Sequence, residues 1–139
     1  MKFLQAVAVA IIYAQGSLSV PASPEAECGS LGVMKVDPAE LPEGVNASQA
    51  RKCLGHPEGH GTGRDGKQLF ARACQFKSAW GCSHGGYCWK ACDDENNGKW
   101  CWTAENSGYG PWIRCASYLD CERSMSCGQG KCDECGCGC

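Results

Sequence analysis

Leu69, Ala73, Phe76 and Trp80 recur at steps of four, three and four, with Phe70 beside them, and this period predicts an amphipathic helix over residues 67–80. Lys67, Arg72 and Lys77 fall away from that apolar stripe. Past Trp80 the period changes. Tyr87-Cys88-Trp89-Lys90-Ala91-Cys92 alternates, as does Lys99-Trp100-Cys101-Trp102-Thr103, and the Asn97-Gly98 turn signal between them predicts a hairpin. A second turn over 107–110 and a third extended run over 111–115 complete a predicted three-stranded antiparallel sheet. Trp100 and Trp102 must share a face of it, because side chains alternate along a strand.

Upstream the pattern is weaker. Residues 31–36 suit a short strand. Asp37-Pro38-Ala39-Glu40 has a cap, a proline for the first helical position and an acid two residues later, which predicts a single helical turn. Asn46 is placed to cap a second short helix reaching residue 52, and 56–66 reads as a glycine-rich loop. At the start of the chain Lys2 precedes an apolar run over 3–14 that is interrupted by Gln5, followed by small residues. Residues 1–19 are therefore expected to be a secretory signal peptide, cut at Ala14-Gln15-Gly16 or Ser17-Leu18-Ser19, since the apolar run is too short to span a bilayer. Residues 20–27, with two prolines and nothing to bury, are expected to be a disordered leader. Residues 28–139 read as one domain, sparse in cysteine over 28–80 and dense over 81–139.

Cysteine content changes the picture most. The chain has 14, namely Cys28, Cys53, Cys74, Cys82, Cys88, Cys92, Cys101, Cys115, Cys121, Cys127, Cys132, Cys135, Cys137 and Cys139. An even number at this density behind a signal peptide predicts a disulfide framework that supplies what a modest apolar core cannot. The expected fold class is a small disulfide-rich α+β domain, with short N-terminal helices, a three-stranded antiparallel sheet and a cross-linked C-terminal loop region. Seven bridges among 14 cysteines leave the pairing open. The run Cys132-x2-Cys135-x-Cys137-x-Cys139 has the spacing of a thiolate cluster, but oxidation removes the thiolates a metal needs, so no metal and no cofactor are expected.

Charge narrows the partners. Removing residues 1–19 takes away Lys2 alone, so 13 basic residues become 12 against 15 acids, a net of about −3. That balance offers no footprint for nucleic acid or anionic lipid. No Gly-x-Ser-x-Gly, no His-Glu-x-x-His and no glycine-rich phosphate cradle occurs, and a deep cleft is not expected in so small a domain, so the chain reads as a binding protein and not an enzyme. His56 and His60, flanked by Pro57 and glycines, read as a solvated loop, and Asp93-Asp94-Glu95 as a solvated hairpin tip. Asn46-Ala47-Ser48 is an N-glycosylation acceptor.

All five tryptophans lie between residues 80 and 112. They either stack into the small core or leave one or two rings exposed as anchors, and Tyr87, Trp89, Trp102 and Trp112 are the candidate anchors. Cys82-Ser83-His84-Gly85-Gly86-Tyr87-Cys88 is similar to the Cys-Ser-x-aromatic-Gly-aromatic-Cys segment of hevein-type chitin-binding modules, which implies a sugar contact for Ser83 and Tyr87. Gly81, Gly85 and Trp89 depart from that pattern.

The block Gly86-Tyr87-Cys88-Trp89-Lys90, Gly98-Lys99-Trp100-Cys101-Trp102-Thr103-Ala104, Gly110-Pro111-Trp112 and the cysteine-rich tail resembles small secreted cysteine-rich proteins of filamentous fungi. Among these it resembles the relatives of vegetative-incompatibility-induced proteins, a set that overlaps with candidate effectors of plant infection. The resemblance implies secretion, a disulfide-bonded fold and a role in attack, defence or cell death, without a defined active site. The expected function is that of a monomeric, effector-like protein that binds a host protein or cell-wall polysaccharide, in the host apoplast or after entry into host cells, and promotes infection or modulates defence or cell death. A chitin-binding module and an antimicrobial or killer protein are the alternatives.

Overall fold

The computed structural model describes residues 22–59, 77–92 and 97–132. Its regular centre is a three-stranded antiparallel sheet in the order β1 (Trp80–Cys82), β2 (Cys88–Ala91), β3 (Trp100–Trp102). Trp80 pairs with Lys90, Gly81 with Trp89 and Cys82 with Cys88; on the other side Trp89 pairs with Trp102, Lys90 with Cys101 and Ala91 with Trp100. The expected β2–β3 hairpin is present. At its tip Gly98 takes φ 73°, and the Asn97 side-chain oxygen accepts from the Lys99 N–H at 2.8 Å.

The third strand is not the expected one. Trp80, read as the end of a helix, begins β1, and residues 77–79 are not helical; the rest of that predicted helix lies outside the described residues. The run over 111–115 is extended but acts as a wedge. The Ile113 N–H donates to the Thr103 carbonyl while the Cys88 N–H donates to the Ile113 carbonyl, so the segment fills the gap where β2 and β3 diverge. Trp112 bridges to Ala104 and Arg114 to Tyr87.

Alternation along these short strands gives the sheet two different faces. Gly81, Trp89, Ala91, Trp100 and Trp102 share one, and Trp80, Cys82, Cys88, Lys90 and Cys101 share the other. From the second face three disulfides, Cys82–Cys115, Cys88–Cys121 and Cys101–Cys127, run to the segment 115–127, which lies against the sheet as a strap. The strap also covers the outer edge of β3, where the Ala104 N–H reaches the Ser126 carbonyl and the Gly128 N–H reaches the Trp102 carbonyl. Cys92 and Cys132 are disulfide-bonded too, and no described cysteine is a free thiol. Cys74, Cys135, Cys137 and Cys139 lie outside the described residues.

The N-terminal half is built of turns. Part of the expected leader is ordered: Pro24–Cys28 forms helix α1, with the Ser23 hydroxyl accepting from the Ala26 N–H at 3.2 Å and Pro24 at the first position. Residues 31–36 make no strand. Instead Val33 bridges to Cys53, and the N–H groups of Met34, Leu54 and Gly55 close an antiparallel ribbon between 31–34 and 52–55. Cys28–Cys53 fixes α1 to this ribbon. A turn follows Asp37, but it is a hydrogen-bonded turn and not the helical one expected: the Asp37 carboxylate accepts from the Ala39 N–H at 2.9 Å and the Asp37 carbonyl from the Glu40 N–H at 3.0 Å. Asn46 caps a single 3-10 turn, Ala47–Gln49, which stops short of residue 52. Among the described residues the core is correspondingly small, with Cys28, Met34, Cys88, Ala91, Cys101, Trp102, Ala104 and Cys121 as its apolar members and Arg51, His56 and Thr103 buried beside them. No helix among the described residues is long and apolar enough to cross a membrane, and the bridged cysteines match an oxidising compartment.

Candidate binding groove and the aromatic column behind it

The tryptophan face of the sheet carries a continuous stack of rings. Trp89 and Trp100 meet edge to face at 6.1 Å between centroids, and Trp100 and Trp102 do so at 4.9 Å and 87°. The ring of His56 lies flat on Trp102 at 3.9 Å and 6°, and the rings of Tyr87 and Trp112 close around it edge-on at 4.5 and 4.8 Å. Cations end the column: the Arg51 guanidinium sits 3.9 Å above Trp112, and that of Arg114 sits 4.2 Å from Tyr87. Gly81 makes room at the other end, since a Cβ there would stand 2.7 Å from the Trp89 ring. The missing side chain at Gly81, one of the departures from the hevein pattern, is therefore required by this packing.

His56 is thus not the solvated loop residue expected from its proline and glycine neighbours. Its side chain is 0 % exposed. Pro57 and Gly59 shape a turn in which the Gly59 N–H donates to the His56 carbonyl, and the Glu58 N–H donates to His56 Nδ1 at 3.0 Å. An imidazole nitrogen that accepts a backbone N–H carries no proton, so the ring is held as the Nε2–H tautomer. His60 lies outside the described residues.

The expected anchors divide in the same way. Trp102 is 5 % exposed and belongs to the core, which removes it as a surface anchor. Tyr87, Trp89 and Trp112 are half-buried members of the column. The Ser83 hydroxyl donates to the Glu58 carboxylate at 2.7 Å and accepts the Tyr87 N–H at 3.1 Å, so it closes the 83–87 turn. Among the described residues, the large apolar side chains that do face outward are Trp80, Tyr118 and Leu119, at 39, 62 and 75 % exposure. None of these three was among the candidate anchors. Asn46 is exposed at its cap, where its side-chain oxygen accepts from both the Ser48 N–H and the Ser48 hydroxyl.

A cleft, not expected for so small a domain, opens on the N-terminal side of the column. It has a volume of about 850 Å³, within the ~300–1,000 Å³ range of ligand pockets. Val33, Val36, Pro38, Leu41, Leu54 and Tyr109 line it with apolar side chains, and Lys35, Asp37, Glu40, Gln129 and Lys131 add polar and charged ones. Gly130 lies in the wall with φ 106°, a conformation that favours glycine, and a Cβ there would run into the Met34 side chain.

Arg51 assembles this groove. Its Nη1 donates to the Gly108 carbonyl at 2.7 Å and the Gly110 carbonyl at 3.3 Å, while Nη2 reaches the carbonyls of Leu54 and Gln129. Its own N–H donates to the Tyr109 carbonyl at 2.9 Å. One planar fork therefore ties together the three loops that present Leu54, Tyr109, Gln129 and Gly130 to the groove. Burial pushes the Arg51 pKa down to about 10, which still leaves the side chain charged at neutral pH. Asn46 and Asn106 add a reciprocal pair of hydrogen bonds between the same two halves of the chain. Neither Arg51 nor the groove was visible in the sequence, where Arg51 fell within the short helix expected from Asn46 to residue 52.

No protein-family model matches this chain, and comparison with curated proteins and with solved structures likewise gave no match.

Proposed function

We propose that this is a secreted, effector-like binding protein that holds a segment of a host protein in the groove between residues 33–41 and 129–131, and that it acts outside the producing cell to modulate host defence or cell death. The observation that carries this reading is the groove itself, lined by apolar side chains and both signs of charge, with the loops that form it tied together by a buried arginine. Such a surface accepts an apolar side chain at its centre and orients the flanking residues through Lys35, Asp37, Glu40 and Lys131. It offers no nucleophile paired with a base, so binding and not catalysis is the use that its chemistry suits. The sequence resemblance to secreted fungal cysteine-rich proteins and the oxidised cysteines support the same direction.

The test is a pair of groove substitutions, Leu41→Asp and Tyr109→Ala, made in the oxidised protein and assayed for partner capture and for a host cell-death or defence response. Loss of both with the disulfides intact is the expected result. Full retention of both by folded groove variants rejects the proposal.

A further inference from the structure

The strap carries a second, independent device. Segment 115–121 is tied to the sheet by two bridges of unequal exposure: both residues of Cys82–Cys115 are half-buried, whereas Cys88 and Cys121 are 0 and 3 % exposed. The bridges are also neighbours, for the sulfurs of Cys88, Cys115 and Cys121 all lie within 4.8 Å of one another. A thiolate released at Cys115 would therefore stand beside a disulfide that external thiols cannot reach directly.

We propose that a small thiol reductant, of the kind that fills a reducing cytosol, frees segment 115–121 from the sheet by an internal relay. A thiolate attacks Cys82 Sγ, forming a mixed disulfide there and expelling Cys115 as a thiolate. Cys115 then attacks Cys121 Sγ; the Cys88–Cys121 bond breaks, a Cys115–Cys121 bond forms, and Cys88 leaves as a thiolate that takes a proton from solvent. A second external thiolate resolves the mixed disulfide at Cys82, so that two reductant thiols become one disulfide and the protein gains two thiols. Two tethers to the sheet become one bridge local to the strap. Because the attacking sulfur is held in place, the relay works at an effective concentration on the order of millimolar or more, whereas the buried bridge meets external thiol only when the protein opens. The segment that lets go packs its 3-10 turn, Tyr118–Asp120, against β1 and carries the exposed Tyr118 and Leu119.

The experiment treats the oxidised protein with glutathione in limiting steps, quenches with acid, blocks thiols with N-ethylmaleimide and maps the bridges by peptide mass spectrometry. The expected early product contains a Cys115–Cys121 bridge, with label or glutathione on Cys82 and label on Cys88. An early product with Cys88–Cys121 intact and modification confined to Cys82 and Cys115 overturns the proposal, and so does a Cys88–Cys115 bridge, which would keep the segment tied. The Cys82→Ser variant gives a second reading without reductant, because Cys115 then has no native partner. In secreted, folded variant protein the free thiol is expected at Cys88, and a free thiol at Cys115 beside an intact Cys88–Cys121 bridge rejects the relay. If that variant does not fold, the map of the unmodified protein decides alone.

Discussion

Arg51 joins several separate parts of the described chain through one side chain. It is 8 % exposed, lies over Trp112, and gives hydrogen bonds to four backbone carbonyls on three loops. Replacement by lysine keeps the charge and loses the planar fork, leaving several carbonyls without a donor. Arg51→Lys is expected to cost about 2–3 kcal/mol of stability, read as a lower urea midpoint with an unchanged slope; a midpoint within error of the parent would show that the fork does not hold the loops. Nothing in the sequence marks this residue, since a lone arginine beside a lysine on a polar stretch reads as solvated. His56 was hidden for the opposite reason. Its glycine and proline neighbours do form a loop, but that loop folds inward onto Trp102, and local composition carries no record of which surface a loop finally covers. The shared face of Trp100 and Trp102, by contrast, follows from strand alternation alone.

Among the elements, the β2–β3 hairpin was legible because alternation and an Asn-Gly turn agree on it. The third strand was not. Both 80–82 and 111–115 are extended and both touch β2, and only tertiary pairing decides that the first makes a ladder while the second enters as a wedge. The 3-10 turn Tyr118–Asp120 is a smaller element with its own pH dependence. Its Asp120 carboxylate accepts the Ser117 and Ala116 N–H groups at 2.9 and 2.8 Å, and these bonds hold its pKa below the ordinary carboxylate value. A carboxyl group whose folded value is depressed stabilises the fold above its unfolded value, and that contribution is lost as pH falls through the folded one. Acidification is therefore expected to loosen this turn before the sheet. The check is an NMR titration in which the Asp120 carboxyl and the Ser117 amide move together at a pH below the ~3.9 of a free aspartate; a midpoint at that ordinary value would rule out the capping role.

On the scale of the whole molecule, two halves of different construction are held by different means. The sheet half leans on bridges leaving one face, and the turn-built half on Cys28–Cys53, the 31–34 and 52–55 ribbon, and Arg51. Opening Cys28–Cys53 with a paired serine substitution is expected to cost about 3 kcal/mol through the freedom returned to the unfolded chain. Hydrogen exchange should show the loss concentrated in the amides of 31–34 and 52–55, with β2 and β3 protected as before. Uniform loss across the sheet would mean that the halves fold as one unit. The dependence on sulfur was plain from cysteine density, but the groove was not, because it arises where separate loops meet. The arrangement of indoles has a further outcome. Trp100 and Trp102 stand nearly perpendicular at close range, a geometry in which their electronic transitions couple, so the folded chain carries its own chiroptical signature. That paired band belongs to the assembled sheet alone and fades with it, which allows integrity to be followed in dilute solution without a label or a known ligand.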